Sequence, residues 1–571
     1  MTATTRRSSP KPAASAAPLG FVRSLFLGKL DASLLLPYPR RPREEVEATD
    51  QVVAAVRDFA RDRIDAAKID KEAKIPREVL DGLRELGLFG MIVPEAYGGF
   101  GFSATSYCRV LETVSGICTS TAATIGAHQS IGLKALLLHG TDDQRKRFLP
   151  KLASGEWLAA FALTEPGAGS DAQAIATTAD PTGDGGWRLR GSKVWITNGG
   201  IAGLFTVFAK TPDPEAPGKR KITCFVVPRD TPGVSIGKEE DKMGLKGSST
   251  TAVFFEDAVV PDSHRVGEVG KGFRVAVEVL NNGRHGLSAG CLGLGRAALA
   301  EAREHARTRK QFDRPIGEFP LVEELLANAA ADLHTIECGC YWVAGRIDEG
   351  STDVALESAA CKIFATEALW RIANDCLQVA GGSGFMREYA HERRVRDARV
   401  NLIFEGTNQI LRLFLALQGL RGPGEELKAV GEALKHPVAE IGVLKEYAGT
   451  RVRRAFARRT LEGLPASMRA EAGLAVESAL ELASAAEAAI KRFGRGVMEQ
   501  QLVLARLADA ATHLFLMLTV ISRAATLGPD LDRDPVARLS LRRLYRGLRA
   551  ALDPSRGGDD SLLAEAGKML R

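Results

Sequence analysis

Apolar positions along this chain follow the period of helices, then of strands, then of helices again. From about residue 48 to 160, Val52, Val53, Val56, Phe59 and Ala60 fall on one face, as do Val79, Leu80, Leu83, Leu86 and Leu88. That spacing predicts helices with one buried side. Pro76, and then Pro94 with Gly98, Gly99 and Gly101, interrupt the runs. Between 161 and about 270 the stretches 161–164, 187–190, 204–208, 222–227 and 252–255 alternate or run wholly apolar between Gly, Pro and Asp turns. They predict a small antiparallel β domain or barrel. Long amphipathic runs return over 272–311, 320–348 and 354–380, and 421–571, rich in Ala, Leu and Arg, reads as a further helical unit. The expected fold class is therefore α+β. Its parts are a partly disordered extension over 1–47, a helical domain over 48–160, a β domain over 161–270, helices over 271–420 and more helices over 421–571. Helices, strands and helices in one chain suggest layered domains with a cofactor between them.

Composition narrows the class. At 571 residues the chain is long enough for several domains, and 45% hydrophobic with 26% charged residues is ordinary for a soluble globular enzyme, which excludes disordered and fibrous classes. A net charge of +6 is small for this length and argues against a nucleic-acid partner. The eight cysteines follow no repeating interval, so neither a disulfide framework nor a metal site is expected; Cys338-Gly339-Cys340, in a helical run, reads as packing. No window approaches twenty apolar residues, so no membrane-spanning helix is expected. The first twenty residues read as a disordered lead and not a secretory signal, though a mitochondrial transit peptide has a similar composition.

Five stretches carry candidate chemistry. In Ile403-Phe404-Glu405-Gly406-Thr407-Asn408 a lone carboxylate stands between an apolar turn and a glycine, in a segment that reads helix, break, helix. Gly406 permits a sharp connection, and Thr407 or Asn408 suits the N-cap of the next helix. Seated against apolar groups, Glu405 becomes a stronger base than a free glutamate; a loop glutamate at the surface is the alternative. Thr164-Glu165-Pro166-Gly167-Ala168-Gly169-Ser170-Asp171 follows a strand, and its tight turn lets backbone N–H groups approach a ring or a pyrophosphate. Trp195-Ile196-Thr197-Asn198-Gly199-Gly200 comes about thirty residues later, at a strand end. In the run 121–127, Ala123, Gly126 and Ala127 either leave a cavity deep or let helices pack closely. Asn281-Asn282-Gly283-Arg284 reads as the start of a helix.

In order and spacing these motifs resemble the signature set of the acyl-CoA dehydrogenase family. Within it the chain is most similar to the very-long-chain subgroup and its relative that doubles as a respiratory complex I assembly factor, from about residue 20 to the C-terminus and most densely over 86–420. The resemblance implies an N-terminal helical domain, a middle antiparallel β-barrel domain and a C-terminal four-helix bundle, followed by the subgroup's extra helical domain, which includes Met498-Glu499-Gln500-Gln501 and Arg506-Leu507-Ala508-Asp509. It implies FAD as cofactor. Phe161, Leu163, Thr164, Gly169 and Ile196 would lie along the flavin, Trp195 would cover a ring face, Thr197 would donate near N5, and Ser170 would hold the pyrophosphate or the thioester. Thr407 and Asn408 are further cofactor candidates. Arg309, Gln311 and Phe312, with Gln378, Val379, Gly381 and Gly382, would reach the FAD of a neighbouring subunit, making a homodimer part of the site. Glu323 departs from the family there, where a glutamine is usual. By the same resemblance Glu405 is the base, Arg284 and Gly406 meet the substrate, and Ala123, Gly126 and Ala127 floor a pocket for long acyl chains. Some relatives carry their base just before this arginine; here that position is Gly283.

The reaction so implied is α,β-dehydrogenation of a long-chain or very-long-chain acyl-CoA to the trans-2-enoyl-CoA, the first step of fatty acid β-oxidation, with electrons passed to electron-transfer flavoprotein. An acyl-CoA oxidase and a non-catalytic assembly scaffold are the competing readings. Over 441–464, Ile441, Leu444, Ala448, Val452, Ala455 and Phe456 share a stripe beside Arg451, Arg453, Arg454, Arg458 and Arg459, a pattern suited equally to an anionic bilayer and to a solvated helix. The expected location is the cytoplasm, with peripheral contact at the inner face of the cell membrane, or the matrix side of the mitochondrial inner membrane in a eukaryote.

Overall fold

The computed structural model describes residues 20–434, a few positions between 442 and 461, and 463–528, 531–553 and 559–571. The arginine-rich stretch assigned above to 441–464 lies almost entirely outside the described residues.

The N-terminal helices are set by their caps. Ser103 accepts from the N–H of Ser106 to open Ala104–Ile117, and Thr141 and Gln144 cap each other reciprocally at the start of Asp142–Ala153. The chain then enters an eight-stranded sheet: β1 (Leu158–Ala162), β2 (Thr178–Pro181), β3 (Gly186–Thr197), β4 (Ala202–Pro212), β5 (Arg220–Pro228), β6 (Val234–Glu239), β7 (Thr250–Pro261) and β8 (Arg265–Val266). The order is β6-β7-β3-β2-β4-β5-β8, with β1 also on β4. Most pairs are antiparallel, as the turn spacing predicts. The exceptions are β1 and β2, which both run parallel to β4: β1 arrives from the helical domain, and β4 returns beside it only after the β2–β3 excursion. His128 joins the two layers. Its Nδ1 accepts from the N–H of Ala159 at 2.8 Å, so Nε2 carries the proton and faces the carbonyls of Phe89 and Leu152 at 3.0 and 3.1 Å. Burial lowers its pKa to about 4, which keeps it neutral.

Three long helices follow, Gly272–Thr308, Pro320–Asp348 and Ala355–Ala380, with Ala390–Arg399 and Asn408–Gly419 packed beside them. Asn281 to Arg284 lie inside the first of these and not at its start. The helix tolerates them because Asn282 Nδ2 donates back to the Glu278 carbonyl at 2.8 Å, while Asn281 Oδ1 accepts from Arg284 Nη1 at 2.6 Å.

The C-terminal extension contributes Arg469–Phe493, Gln501–Leu527 and Pro535–Leu552, which pack on the preceding bundle. The expectation that no stretch is apolar enough to cross a membrane needs correcting: Gln501–Leu527 is long and apolar enough by composition, with 78% of its most apolar window buried inside the protein. It is apolar nearly all round because helices surround it. The same core takes in the beginning of the described chain. Phe21, Val22, Leu25 and Phe26 share it with Leu411, Leu415, Phe515 and Leu518. The N–H of Val22 donates to Glu357 at 2.6 Å, and the Tyr38 hydroxyl to the Cys338 carbonyl at 2.8 Å.

Candidate active site

The base loop lies where the 3₁₀ turn Val400–Leu402 gives way to helix Asn408–Gly419. Glu405 has φ of +54°, a left-handed conformation that costs a glutamate on the order of 1–3 kcal/mol unless its surroundings enforce it. They do. Arg284 Nε donates to the Glu405 carbonyl at 3.3 Å, and Lys362 Nζ to the Gly406 carbonyl at 2.9 Å and to Asn408 Oδ1 at 2.8 Å. Thr407 caps the following helix, accepting from the N–H of Ile410, and Gly406, at φ +92°, makes the turn between them.

The Glu405 carboxylate is half enclosed as a residue, but its Oε2 is fully buried and has no hydrogen-bond partner among the described residues. Burial raises its pKa, and the charges of Arg284 and Lys362 oppose the rise. Both cations are themselves pulled down by burial, Arg284 to about 10 and Lys362 to about 8. The result is a carboxylate with a stronger pull on a proton than a solvated glutamate has. The backbone N–H of Glu405 makes no hydrogen bond among the described residues, so a donor stands free beside the base.

Across the fold, the turn after β1 is locked to β3. Lys193 Nζ, fully buried, donates to Glu165 at 2.6 Å and to the Phe208 carbonyl at 2.8 Å; Glu165 accepts in turn from the N–H of Thr177, and the Val194 N–H donates to the Thr164 carbonyl at 3.0 Å. A register shift between Lys193 and Ile196 then turns Trp195 out of the sheet at φ +57°, 64% exposed, while Ile196 stays buried and Thr197 pairs with Thr250. Phe161 packs on Phe208 and Leu163 is buried, whereas Gly169 and Ser170 are exposed. Nothing lies within 4 Å of where a Cβ would stand on Gly167 or Gly169. A bulky indole held out in a strained backbone, beside a turn with open glycines, fits a flat ring carrying phosphates. On that observation, the residues present suit FAD.

Asn198 ties this platform to helix Thr119–Gly126, which runs on into Ala127–Gly132. Fully buried at φ +66°, it donates from Nδ2 to the Thr124 carbonyl at 3.0 Å. On that helix Ala123, Gly126 and Ala127 are part-exposed, while Ala122, Thr124, Ile125 and His128 are buried. A Cβ on Gly126 would stand 3.9 Å from Leu111 Cδ2 and 4.0 Å from the Tyr107 hydroxyl. An added methyl there would meet its neighbours at ordinary contact distance, so a deep pocket and close packing both fit this helix.

Arg309, Gln311 and Phe312, on and beside the hairpin Lys310–Gln311 and Arg314–Pro315, are exposed, Phe312 by 86% at φ +50°. Gln378 and Gly381 are exposed, Val379 is buried, and Gly382 has open space at its Cβ position. Phe385 nearby is 75% exposed. Asn408 is instead fully engaged inside the chain, by Lys362, Thr366 and Glu367. Sequence reasoning missed Lys362 and Asn198. Lys362 leaves a trace in hindsight, as a lone cation among Ala359, Ala360, Ile363 and Ala365 on a buried face.

Comparison with known proteins follows the same division. Family models described as acyl-CoA dehydrogenase N-terminal, middle and C-terminal domains match residues 46–156, 160–258 and 270–420, and one described as "ACAD9/ACADV, C-terminal domain" matches 466–528. The human very long-chain specific acyl-CoA dehydrogenase, mitochondrial, is 43% identical over 524 residues, covering 90% of this chain and 80% of that protein. A Bacillus anthracis acyl-CoA dehydrogenase solved in complex with FAD superimposes with a TM-score of 0.78 at 30% identity, covering 94% of this chain and 91% of its own. Butyryl-CoA dehydrogenase from Megasphaera elsdenii gives a TM-score of 0.63 at 34% identity, covering 65% of this chain and 98% of its own.

Proposed function

The chain belongs to the acyl-CoA dehydrogenase family, and from that premise we propose that Glu405 is the base with which it oxidises long-chain fatty acyl-CoA thioesters. The protein is an FAD-dependent oxidoreductase acting in fatty acid β-oxidation. When bound, FAD supplies the oxidant that receives a hydride from Cβ.

Glu405 takes the proton from Cα. Its burial makes the carboxylate want that proton more than a solvated glutamate does, and the charges of Arg284 and Lys362 favour its ionised form. Loss of the α-proton places charge on the thioester oxygen. The free N–H of Glu405 is the donor this chain offers there; one preorganised donor of this kind contributes roughly 10²- to 10³-fold in rate. Trp195 and Thr197 hold the cofactor's ring opposite the base, and Ser170 meets pyrophosphate or thioester. Ala123, Gly126 and Ala127 leave the far end of the pocket open for a long acyl tail. The product is the trans-2-enoyl-CoA.

The exposed residues of 309–312 and 378–382 support a homodimer in which each chain completes the FAD site of the other. Electron-transfer flavoprotein is the proposed acceptor. Membrane contact through 441–464 suits a poorly soluble substrate and places the enzyme at the inner membrane face, or the matrix face in a mitochondrion. The observation that carries the reading is the enclosed, partnerless Oε2 of Glu405 between two buried cations. A substrate series with a ferrocenium acceptor tests it: palmitoyl-CoA is expected to outrun butyryl-CoA, with no peroxide formed, and the reverse order would discredit the open pocket.

A further inference from the structure

We propose that Asp509, in the C-terminal extension, is a positioning residue for the base, acting through a half-buried chain of charged and polar groups that ends on the base loop. The inference rests on Glu405 being that base. The chain starts at Lys362, fully buried, whose Nζ holds the Gly406 carbonyl and Asn408 Oδ1. Asn408, 1% exposed, turns its Nδ2 to Thr366 Oγ1 at 3.0 Å and Glu367 Oε1 at 3.1 Å. Glu367 also accepts both Nη groups of Arg412, at 2.8 and 3.0 Å. Arg412 has Nε left for one more acceptor, and that is Asp509 Oδ1 at 2.7 Å, reached from helix Gln501–Leu527.

Two features make this more than an ion pair joining two domains. Arg412 and Asn408 lie in the same helix, Asn408–Gly419, whose first turn continues directly from the base loop. A guanidinium gripped at both ends fixes that helix in rotation and along its axis, and with it the carbonyl that Lys362 holds. The acids around Arg412 are also divided between two helices. Arg412 has two acids, Glu367 and Asp509, whereas the other cation near Glu367, Arg371, is paired with Asp332, which Arg543 also holds. Without Asp509, Glu367 becomes Arg412's sole acid and is free to be drawn away from Asn408.

The test uses the full-length holoenzyme with palmitoyl-CoA and palmitoyl-CoA deuterated at Cα. Asp509→Asn removes the charge and keeps the shape. Asp509→Glu restores the charge. Arg506→Ala, on the same helix, breaks only the pair with Asp560 and serves as the control. Asp509→Asn is expected to lower kcat per bound FAD roughly 10-fold, the scale of a small misplacement of a reacting group, to leave KM within about twofold, and to raise the α-deuterium isotope effect as proton removal becomes slower. Asp509→Glu should recover most of the rate, and Arg506→Ala should change at most the melting temperature. The proposal is overturned if Asp509→Asn keeps the parental kcat per FAD and isotope effect, whatever its melting temperature, or if Arg506→Ala produces the same loss. Glu405→Gln in the same series separates the two readings: an active Glu405→Gln enzyme removes the base assignment itself.

Discussion

The base loop and the cofactor platform are built in opposite ways. Around Glu405 every restraint comes from within the chain: Arg284, Lys362, Thr407 and Asn408 all find their partners inside it, and the strained backbone is enclosed. On the platform side the chain stops short. Trp195 stands 64% exposed and Phe312 86%, and the glycines at 167, 169 and 382 face open space. The difference teaches that one chain can assemble the acid–base half of the chemistry from its own residues, while the redox half is left to a bound molecule.

Three substitutions probe that contrast. The largest effect is expected from Glu405→Gln, which should lower kcat by about 10²- to 10⁴-fold while the flavin absorbance of the purified protein stays unchanged; coupled loss of both would mean the two halves are not separate. Next, Arg309→Ala removes a charged fork suited to phosphate oxygens, whose contacts contribute about 1.5–3 kcal/mol. It should weaken FAD retention by roughly 10- to 100-fold, measured by titration into apoprotein, with little change in kcat once saturated. The smallest effect is a shift in pH profile. Activity needs Glu405 ionised, so it declines as pH falls through a pKa that burial holds above the ordinary glutamate value of 4.5. Lys362→Met removes one of the two charges opposing that rise, so the acid limb of kcat/KM should move to higher pH. A limb that stays put would show that Lys362 only holds the loop and does not tune it.

The sequence made visible what is local. The helix-break-helix around Glu405, the cap at Thr407, the turn at 164–170 and the three small residues at 123, 126 and 127 each show in a few adjacent letters. What it hid is long-range. Lys362 is read as one more helical lysine until the fold brings Gly406 and Asn408 to it. Asn198 and His128 join layers whose parts are far apart in sequence, and Asn281 looked like a helix start only because its side-chain bond to Arg284 could not be foreseen. Gln501–Leu527 showed only as part of a helical unit, because its burial depends on helices from elsewhere in the chain, among them Pro320–Asp348, Ala355–Ala380 and Asn408–Gly419.

The shared core that unites Phe21 and Val22 with Phe515 and Leu518 sets an order of events during translation. The opening helix leaves the ribosome hundreds of residues before its binding partners exist, at a pace of about 5–20 residues per second. For tens of seconds, then, a greasy handle travels unpaired, a natural grip for chaperones. A truncation near residue 420, though it spares every catalytic group, would keep Trp342, Leu411 and Leu415 beside that handle but strip away Phe515 and Leu518, and should send the product toward aggregation instead of toward a smaller working enzyme.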